Sequence, residues 1–392
     1  MKIIERPIRQ GNKECAFKKY HILIVLRWPV GGIRTFIRYV YKQFDPSRYQ
    51  FTIVAPDLSE LRLMLHDLDG LDVSYIPMES NPSVLQFFKA IFWIVLRGKY
   101  DLIHSNGLTA GVSCTVPSVL SKTPHLLTLH DIFNDHQFQG VAGIIKKVGL
   151  SIMLPLVDVI HAVSHDSREN LLHYIFSLGL FRNKIRVIPH GIEIERFSVT
   201  NARDLRKELN LPNNSFLIGF LGRFMSPKGF VYLVEAINLL YKKYRLINKP
   251  FVLAFGDGAF IREEKNYVKK KGLDEYVYFM PFTANIAPTL RGLDVVAIPS
   301  LWEACGLLPM EAMISGVPVI GTNCVGLREV LKGTPSEIIP VRDAEALADA
   351  LFREMNNPSK EKARGYQKEA ALRFDARKEA KELEEVLLSL LD

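Results

Sequence analysis

Cysteine is scarce in this chain, and the cysteines that are present lie far apart. Cys15, Cys114, Cys305 and Cys324 are the four cysteines among 392 residues, and no two of them form a CxxC pair. Disulfide frameworks and zinc sites require paired or closely spaced cysteines, so this spacing indicates neither. We therefore expect a reducing compartment and no metal centre.

Long uninterrupted apolar runs are also missing. Residues 141–160 come nearest, but Lys146, Lys147 and Pro155 interrupt them, and residues 84–96 are short and contain Lys89. A membrane-spanning helix needs about 18 or more apolar residues, so both segments are predicted to be core or docking helices. The first residues carry charges throughout and lack the apolar core of a secretory signal. We expect no export and a loose polar arm over residues 1–19.

The positive charge of the chain is unevenly distributed. Up to Arg196 there are 23 Lys and Arg against 17 Asp and Glu, whereas the remainder has 27 against 25. A basic first half with aromatic amphipathic helices suits a membrane surface or an anionic carrier. A solvated basic face without a partner is the alternative.

Short runs rich in Val, Ile and Leu alternate with longer amphipathic runs. "YHILIVLRW" precedes "TFIRYVYKQF", and the same rhythm starts again at "SFLIGFLG", after the polar stretch "IEIERFSVTNARD". This alternation is typical of parallel sheets covered by helices on both faces. The predicted fold is therefore α/β, with two doubly wound parallel-sheet (Rossmann-like) domains facing a central cleft. Their predicted bounds are residues 1–195 and 196–373, and the helix over 374–392 either packs back on the first domain or caps the second.

Ligands of open parallel sheets bind outside the carboxyl ends of the strands, so candidate site residues are sought in the loops that follow strands. In "EACGLLPME", Glu303 lies in such a loop and Glu311 falls on the first or second turn of the next helix. The backbone N–H groups of Gly306, Leu307 and Leu308 at the helix start suit an anion. Two carboxylates beside an anion site suit a phosphorylated sugar. The alternative is that Glu311 only complements the helix dipole and Glu303 is a solvated loop residue.

A second loop carries two cations. In "FLIGFLGRFMSPKGF", Arg223 and Lys228 stand between the end of a strand and the helix that Gly229 opens. Singly, each cation is typical of a surface. Together, a bidentate and a point-like cation suit a diphosphate, and with the two glutamates they favour a nucleotide diphosphate.

The loop "FGDGAFI" contains Gly256 and Gly258 but has Ile261 where a dinucleotide fingerprint has its third glycine. We interpret these glycines as sites of close backbone approach or tight turns, and we predict no NAD binding.

The first half has its own candidate loops. Gly31 and Gly32 follow the first strand, where they permit close approach to a ligand, although turn geometry alone would explain them. His130 ends another strand. It is either a buried or capping polar residue or, in a cleft that faces a sugar, a donor to a hydroxyl.

At this point the motifs resemble a known family. "EACGLLPMEAMISGVPVI" resembles the E-x7-E signature of retaining glycosyltransferases of the GT-B fold, in glycosyltransferase family 4. "GRFMSPKG", "VIPHGIEIERF", "AVSHDSREN" and the early "GG" resemble segments of that family in its order. The resemblance extends from Tyr20 over nearly the whole chain.

The resemblance implies roles for the second half. Arg223 and Lys228 would hold the donor diphosphate, and Glu311 would accept a hydrogen bond from the nucleotide ribose. Glu303, with the amides of Gly306 and Leu307, would hold the donor sugar, and Leu308 would belong to the same donor-binding set.

Three further residues receive roles from the same resemblance. His130 would lie by the outer hydroxyls of the sugar, Gly32 near the diphosphate, and the backbone around Met280 near the base. The catalytic residues would then be Glu303, His130, Arg223 and Lys228.

The implied reaction is transfer of a hexose with retention at the anomeric carbon, from a UDP-sugar or, as second choice, GDP-mannose. The acceptor would be a glycan or lipid-linked molecule of cell-surface polysaccharide or glycolipid synthesis. No Asp-x-Asp motif stands at a strand end, so we predict metal-free catalysis and no cofactor. We expect a cytoplasmic protein, with peripheral contact at the inner membrane face left open, and no nucleic-acid partner. A sugar nucleotide epimerase of similar fold and a catalytically silent sugar-nucleotide-binding subunit are the alternatives.

Overall fold

The computed structural model describes residues 19–198, 201–283 and 285–392, so the predicted polar arm and Cys15 lie outside it except for Lys19. The described chain forms two compact units. The first comprises the described residues up to His190 together with Ala376–Asp392, and the second comprises Gly191–Asp375.

The first unit is built on a parallel sheet with helices on both faces. Its strands are β1 (Tyr20–Leu26), β2 (Tyr49–Pro56), β3 (Val73–Met78), β4 (Leu102–Asn106), β5 (His125–Leu129), β6 (Val159–Ala162) and β7 (Ile185–Val187). Before the chain passes to the second unit, the helices of the first unit are α1 (Gly31–Tyr41), α2 (Ser59–Asp67), α3 (Val84–Arg97), α4 (Leu108–Ser121), α5 (Gly140–Met153) and α6 (His165–Tyr174). The strand order is β3-β2-β1-β4-β5-β6-β7.

The second unit repeats this plan. Its strands are β8 (Phe216–Leu221), β9 (Pro250–Phe255), β10 (Val277–Met280), β11 (Val295–Ile298), β12 (Val319–Thr322) and β13 (Glu337–Ile339), in the order β10-β9-β8-β11-β12-β13. Its helices are α7 (Ile194–Ser198), α8 (Leu205–Glu208), α9 (Phe230–Lys243), α10 (Ile261–Lys270), α11 (Ala287–Arg291), α12 (Leu307–Ile314), α13 (Leu327–Leu331), α14 (Ala344–Asn356) and α15 (Lys360–Arg373). The two sheets confirm the predicted doubly wound parallel architecture.

The apolar runs of the sequence explain why these sheets are parallel and covered on both faces. Residues 22–26 of β1 are consecutive apolar residues with no exposed surface. A strand that is buried on both faces needs apolar side chains at successive positions, whereas a half-exposed strand alternates. The sequence order is also interrupted once in each sheet, between β1 and β4 and between β8 and β11. At such a switch point, the carboxyl ends of neighbouring strands open onto a crevice that can take a ligand.

The chain leaves the first unit earlier than the predicted boundary at 195/196. Ile192 pairs with Asp375 as a parallel bridge, and its N–H donates to the Phe374 carbonyl at 2.7 Å. Ile194 and Phe197 are buried, so the stretch predicted to be a polar linker starts α7 and joins the second unit.

The C-terminal helix α16 (Ala376–Leu391) packs on the first unit. Its buried Leu383 and Leu387 join a core cluster with residues of β1, β2 and α1. The Glu384 carboxylate accepts hydrogen bonds from Arg48 at 2.8 Å and from the Tyr49 hydroxyl at 2.7 Å. Within the described residues, no helix is both long enough and apolar enough to span a bilayer.

A chain of buried polar groups crosses the sheet of the first unit. His104 Nε2 lies 2.7 Å from Thr128 Oγ1, which lies 3.0 Å from His161 Nδ1, and His161 Nε2 donates to the Ile188 carbonyl at 2.8 Å. The Tyr41 hydroxyl contacts His104 Nδ1. With one proton on each imidazole, at Nε2, every donor in this chain meets an acceptor. A second proton on either ring would remove the acceptor of the hydroxyl at its Nδ1, and that hydroxyl would have to direct its own proton elsewhere.

Burial lowers the pKa values of these histidines. It lowers the pKa of His161 to about 3 and that of His104 well below its ordinary value. Burial also lowers the pKa of His125, whose Nε2 lies 2.7 Å from Ser105 Oγ, to about 3. These rings are therefore neutral in the folded protein at pH values where the unfolded chain takes up protons.

We predict that the free energy of unfolding falls as the pH is lowered below about 6.5, the unfolded pKa of histidine. In that range the unfolded state binds more protons than the folded state, and each buried histidine contributes up to about 1.4 kcal/mol per pH unit. His125→Leu should reduce the slope of unfolding free energy against pH by an amount that grows from about a quarter of a proton at pH 7 to nearly one proton at pH 5. Urea unfolding of the full chain at several pH values measures this slope.

The matched control is His66→Leu, because the His66 side chain is exposed in the folded protein. It should change the slope less than His125→Leu does. An equal slope in His125→Leu and the unsubstituted protein would contradict the prediction.

Candidate functional site

A basic and an acidic side chain meet at the carboxyl ends of β8 and β11. Lys228 Nζ donates to Glu303 Oε1 at 2.7 Å, and the Ser300 hydroxyl donates to the same oxygen at 2.7 Å. Both side chains of the ion pair are partly shielded from solvent. Two of the sequence-predicted site residues are therefore in direct contact, although their positions in the sequence lie far apart.

Backbone contacts hold the two loops in this arrangement. The Leu301 N–H donates to the Pro227 carbonyl at 2.7 Å. Gly229, which starts α9 with φ of +65°, lies so close to β11 that a Cβ there would be 2.0 Å from the Pro299 carbonyl oxygen. The glycine is therefore required by its left-handed backbone and by the strand that it contacts.

The "FGDG" loop supports the Arg223–Lys228 loop from its other side. A Cβ at Gly256 would lie 2.0 Å from the Gly222 carbonyl oxygen, and one at Gly258 would lie 2.4 Å from that of Phe224. The Phe224 N–H also donates to the Asp257 carbonyl at 2.9 Å. These glycines serve close backbone approach, as the sequence predicted.

Arg223 lies on the same loop as Lys228, with its side chain exposed. Across the described ranges, no hydrogen bond or ion pair is formed by the Arg223 guanidinium. Met280 ends β10, and its carbonyl accepts a hydrogen bond from Gly256 at 3.4 Å. The predicted base-binding backbone therefore neighbours the glycine loop.

The structure places Glu303 ahead of α12 and Glu311 in the second turn of this helix. Gly306 is the N-cap, and the first helical residues Leu307 and Leu308 have no intrahelical acceptor for their N–H groups. Glu311 is buried, as are its neighbours along most of α12. Glu303, bonded to Lys228 and Ser300, is not the solvated loop residue of the alternative interpretation, whereas the burial of Glu311 is compatible with either role proposed for it.

Sequence reasoning missed the residues that fix Glu303. Ser300 donates to its carboxylate, and the Thr322 hydroxyl in turn donates to the Ser300 carbonyl. The Glu303 N–H donates to the Val325 carbonyl at 3.0 Å, and a Cβ at Gly326 would lie 2.1 Å from the Glu303 carbonyl oxygen. The only signal in the sequence is that Ser300 and Thr322 end apolar strands.

The charge of Glu303 affects the pKa of the Cys324 thiol. Burial raises the pKa of the Cys324 thiol to about 11, and the negative charge of Glu303 adds to this rise.

No group of three or more His, Cys, Asp or Glu with metal-binding geometry occurs in the part of the chain that the structure describes.

Gly32 and His130 belong to the first unit. Gly32 is exposed, and a Cβ there would meet no atom within 4 Å, whereas Gly31 has φ of +57°. Turn geometry therefore requires glycine at Gly31, but no contact within the first unit requires it at Gly32.

His130 has contacts at both ring nitrogens. Its Nε2 lies 3.1 Å from Asn106 Oδ1, and its Nδ1 lies 3.4 Å from His190 Nε2. His190 Nδ1 lies 2.6 Å from Glu379 Oε1 on α16. A sugar hydroxyl can therefore bond to His130 only where one of these contacts is released or shared.

The Asn106 amide indicates the direction of the hydrogen bonds. As placed, Asn106 Nδ2 is buried without an acceptor within the described residues. Exchanging the amide oxygen and nitrogen lets Nδ2 donate to His130 Nε2, so that His130 Nδ1–H donates to His190 and His190 Nδ1–H donates to Glu379. His130 is then neutral, in agreement with burial and the neighbouring histidines, which hold its pKa well below the ordinary value. Sequence reasoning did not predict this contact with α16.

We predict that Gly229→Ala lowers the free energy of unfolding by about 2 kcal/mol or more, because alanine is strained at positive φ and its Cβ would overlap the Pro299 carbonyl. The matched control is Gly365→Ala in the exposed middle of α15, where a Cβ meets nothing. It should raise the stability by about 0.5–1 kcal/mol. Urea unfolding measures both, and an unchanged midpoint for Gly229→Ala would contradict the close approach.

Two protein-family models match the chain. Residues 30–196 match Glycosyltransferase Family 4, and residues 201–373 match Glycosyl transferases group 1.

Individual proteins with similar sequences are glycosyltransferases. The UDP-Gal:alpha-D-GlcNAc-diphosphoundecaprenol alpha-1,3-galactosyltransferase of Escherichia coli is 25% identical, over 73% of this chain and 75% of the relative. The D-inositol 3-phosphate glycosyltransferase of Xylanimonas cellulosilytica is 28% identical, over 76% of this chain and 73% of that protein.

The fold has close counterparts among solved structures. Anabaena HepE, crystallised with UDP and glucose, superimposes with a TM-score of 0.78 at 21% identity, over 94% of this chain and 100% of HepE. This likeness establishes the GT-B fold. Because the two family models together cover residues 30–196 and 201–373, the chain belongs to the glycosyltransferases of this fold.

Proposed function

We propose that the protein is a retaining glycosyltransferase that moves a hexose from a UDP-sugar to a glycan or lipid-linked acceptor of cell-surface polysaccharide or glycolipid synthesis. The observation that carries this proposal is the contact of Lys228 with Glu303 beside the N-terminus of α12. It places a cation, a carboxylate and free backbone N–H groups at one edge of a parallel sheet. These groups suit a diphosphate joined to a hydroxylated sugar.

In this proposal Arg223 and Lys228 bind the diphosphate. Lys228 donates one hydrogen bond to Glu303, which leaves two of its ammonium protons for phosphate oxygens. Both contacts of Glu303 go to Oε1, so Oε2 is directed to a sugar hydroxyl together with the N–H groups of Gly306, Leu307 and Leu308. Glu311 accepts from the ribose, and the backbone around Met280 contacts the base.

Gly32 and His130 keep the roles that the family resemblance implies, near the diphosphate and the sugar hydroxyls respectively. Three relatives' names support the substrate class. The E. coli relative is named for a UDP-sugar donor and a lipid diphosphate acceptor, HepE was crystallised with UDP, and a Bacillus subtilis relative is named for teichuronic acid biosynthesis. UDP is therefore our first choice of nucleotide, with GDP-mannose second.

We propose that the transfer proceeds on one face of the sugar. The bond from the anomeric carbon to the diphosphate oxygen breaks, and a bond to the acceptor oxygen forms on the same side. The acceptor hydroxyl proton passes to the departing diphosphate, whose charge Arg223, Lys228 and the start of α12 stabilise without a metal or other cofactor. We place the protein in the cytoplasm, with peripheral contact at the membrane where a lipid-linked acceptor would lie.

The direct test is release of nucleoside diphosphate from UDP-glucose, UDP-galactose and GDP-mannose, with and without lipid-linked acceptors. Acceptor-dependent release with an α-linked product is expected. A changed sugar without transfer would favour an epimerase, and nucleotide binding without turnover of any donor would favour a silent subunit.

Lys228→Ala and Arg223→Ala should each weaken UDP binding by about 1.5–3 kcal/mol, because each loses a charge-assisted contact with the diphosphate. Isothermal titration calorimetry with UDP measures the loss. Lys270→Ala, which removes an exposed lysine at the end of α10, is the matched control and should bind UDP as the unsubstituted protein does. Unchanged affinity in both site variants would remove them from the site.

Glu303→Gln and Glu311→Gln should have opposite effects. Glu303→Gln should lower the rate of transfer but leave UDP binding equal or tighter, because it releases Lys228 from its ion pair. Glu311→Gln should weaken UDP binding more than it lowers the rate from bound donor. Calorimetry and single-turnover transfer separate these effects, and identical profiles would show that the two roles are wrongly assigned.

A further inference from the structure

Helix α5 turns its apolar side chains away from the first unit. Val141, Ile144, Ile145, Val148 and Ile152 are between 54% and 75% exposed. Their spacing places them on one stripe of the helix, within about a 100° arc. An amphipathic helix of a globular unit normally turns such a stripe towards the core.

The aromatic helix α3 turns part of its apolar surface towards the core. Its Phe87, Ile91, Ile94 and Val95 are buried. The sequence left both helices open as core or docking helices, and the structure separates them. α3 buries a row of large apolar side chains although Val84, Leu85 and Trp93 are exposed, whereas the only large apolar side chain that α5 buries is Leu150.

The side of α5 that contacts the first unit is narrow. Gly143 and Leu150 are its buried residues, and a Cβ at Gly143 would lie 2.2 Å from the backbone carbon of Phe138. The glycine lets the helix lie close to the preceding segment. The apolar stripe is on the opposite side, and each of its side chains is more than half exposed.

A second segment with exposed apolar side chains lies next to α5. Phe176 and Leu180, in the short helical stretch 176–184, are 86% and 85% exposed. Ser177 in this stretch donates to the Ser151 carbonyl of α5 at 2.8 Å, so the two segments are adjacent. We call the stripe of α5 together with Phe176 and Leu180 the α5 surface.

The charge of these two segments has one sign. Residues 140–156 and 176–184 contain Lys146, Lys147, Arg182 and Lys184 and no Asp or Glu. Lys146 and Lys147 lie beside the Phe138 ring, 5.3 Å and 5.9 Å from its centroid, on flanks of α5 away from the stripe. An apolar face together with lysines on the flanks away from it is typical of a helix that lies in the interface of an anionic bilayer.

We propose that the α5 surface docks the first unit on an anionic lipid bilayer, with the stripe, Phe176 and Leu180 inserted among the acyl chains and the lysines at the phosphate level. This specifies the membrane contact of the proposed function but does not depend on the donor chemistry. The basic charge favours a bilayer over a second copy of the chain, since two such surfaces would bring like charges together.

The test is flotation of the full chain with vesicles of phosphatidylcholine containing about one third phosphatidylglycerol, compared with pure phosphatidylcholine. The unsubstituted protein should float with the anionic vesicles, and less so as salt is raised. Ile145→Ser/Val148→Ser should weaken binding roughly tenfold or more, because two inserted side chains are lost. Lys146→Gln/Lys147→Gln should weaken it roughly fivefold per lysine.

Matched controls come from the second unit. Ile247→Ser removes an isoleucine that is 86% exposed, and Lys269→Gln/Lys270→Gln removes two adjacent exposed lysines. Both should leave flotation unchanged. Equal losses in these controls, or no flotation of the unsubstituted protein, would overturn the proposal.

Sedimentation velocity tests whether a second copy of the chain, instead of a bilayer, covers the α5 surface. If the unsubstituted protein is a dimer that Ile145→Ser/Val148→Ser converts to a monomer, and vesicles bind neither, the α5 surface is a contact between copies and the proposal is wrong. Flotation uses no donor, so its failure leaves the transferase proposal standing. If the unsubstituted protein releases no nucleoside diphosphate with a soluble acceptor, that result would instead count against the transferase proposal alone.

Discussion

The chemistry that the second unit can offer depends on how closely two strand-to-helix turns approach each other. The Leu301 N–H meets the Pro227 carbonyl at 2.7 Å, and Gly229 leaves room for the Pro299 carbonyl. This backbone contact brings the ammonium of Lys228 to the carboxylate of Glu303. A lysine side chain on a mobile loop would sample many positions. Because main-chain contacts fix both turns, less conformational entropy is lost when the ion pair is ordered. The groups proposed to bind the donor are thus preorganised by main-chain packing.

Most of the fold could be predicted because parallel strands buried on both faces appear in a sequence as unbroken apolar runs. Helix α4 was not predicted, and its residues explain why. The Ser113 and Thr115 hydroxyls donate hydrogen bonds to the carbonyls of Thr109 and Gly111 within the helix. Small polar side chains can therefore be buried in α4, and its sequence lacks the alternation of apolar and polar residues that reveals an amphipathic helix. Pro117 also stands inside this helix. The domain boundary was placed a few residues late because the bridge of Ile192 to Asp375 is formed by residues distant in sequence.

The candidate site was predictable only where a local pattern determines position. Strand-to-helix spacing placed Glu303 before α12 and Lys228 in the preceding loop, but it gave no indication of Ser300 or Gly326, which come into contact with Glu303 through tertiary packing. The same holds for Glu379, which reaches the neighbourhood of His130 through His190 from the far end of the chain. A strand-end histidine looks the same in sequence whether its ring is free or bonded at both nitrogens.

The return of α16 to the first unit has a consequence for biosynthesis. The chain passes from the first unit to the second at His190 and comes back at Ala376. Leu383 and Leu387 complete the apolar core around β1 and α1. During translation, that core emerges from the ribosome with one wall missing and stays incomplete until the whole second unit has been made. The nascent first unit therefore exposes the apolar surface that Leu383 and Leu387 cover in the folded protein, and such surface favours recognition by holding chaperones until α16 has been made.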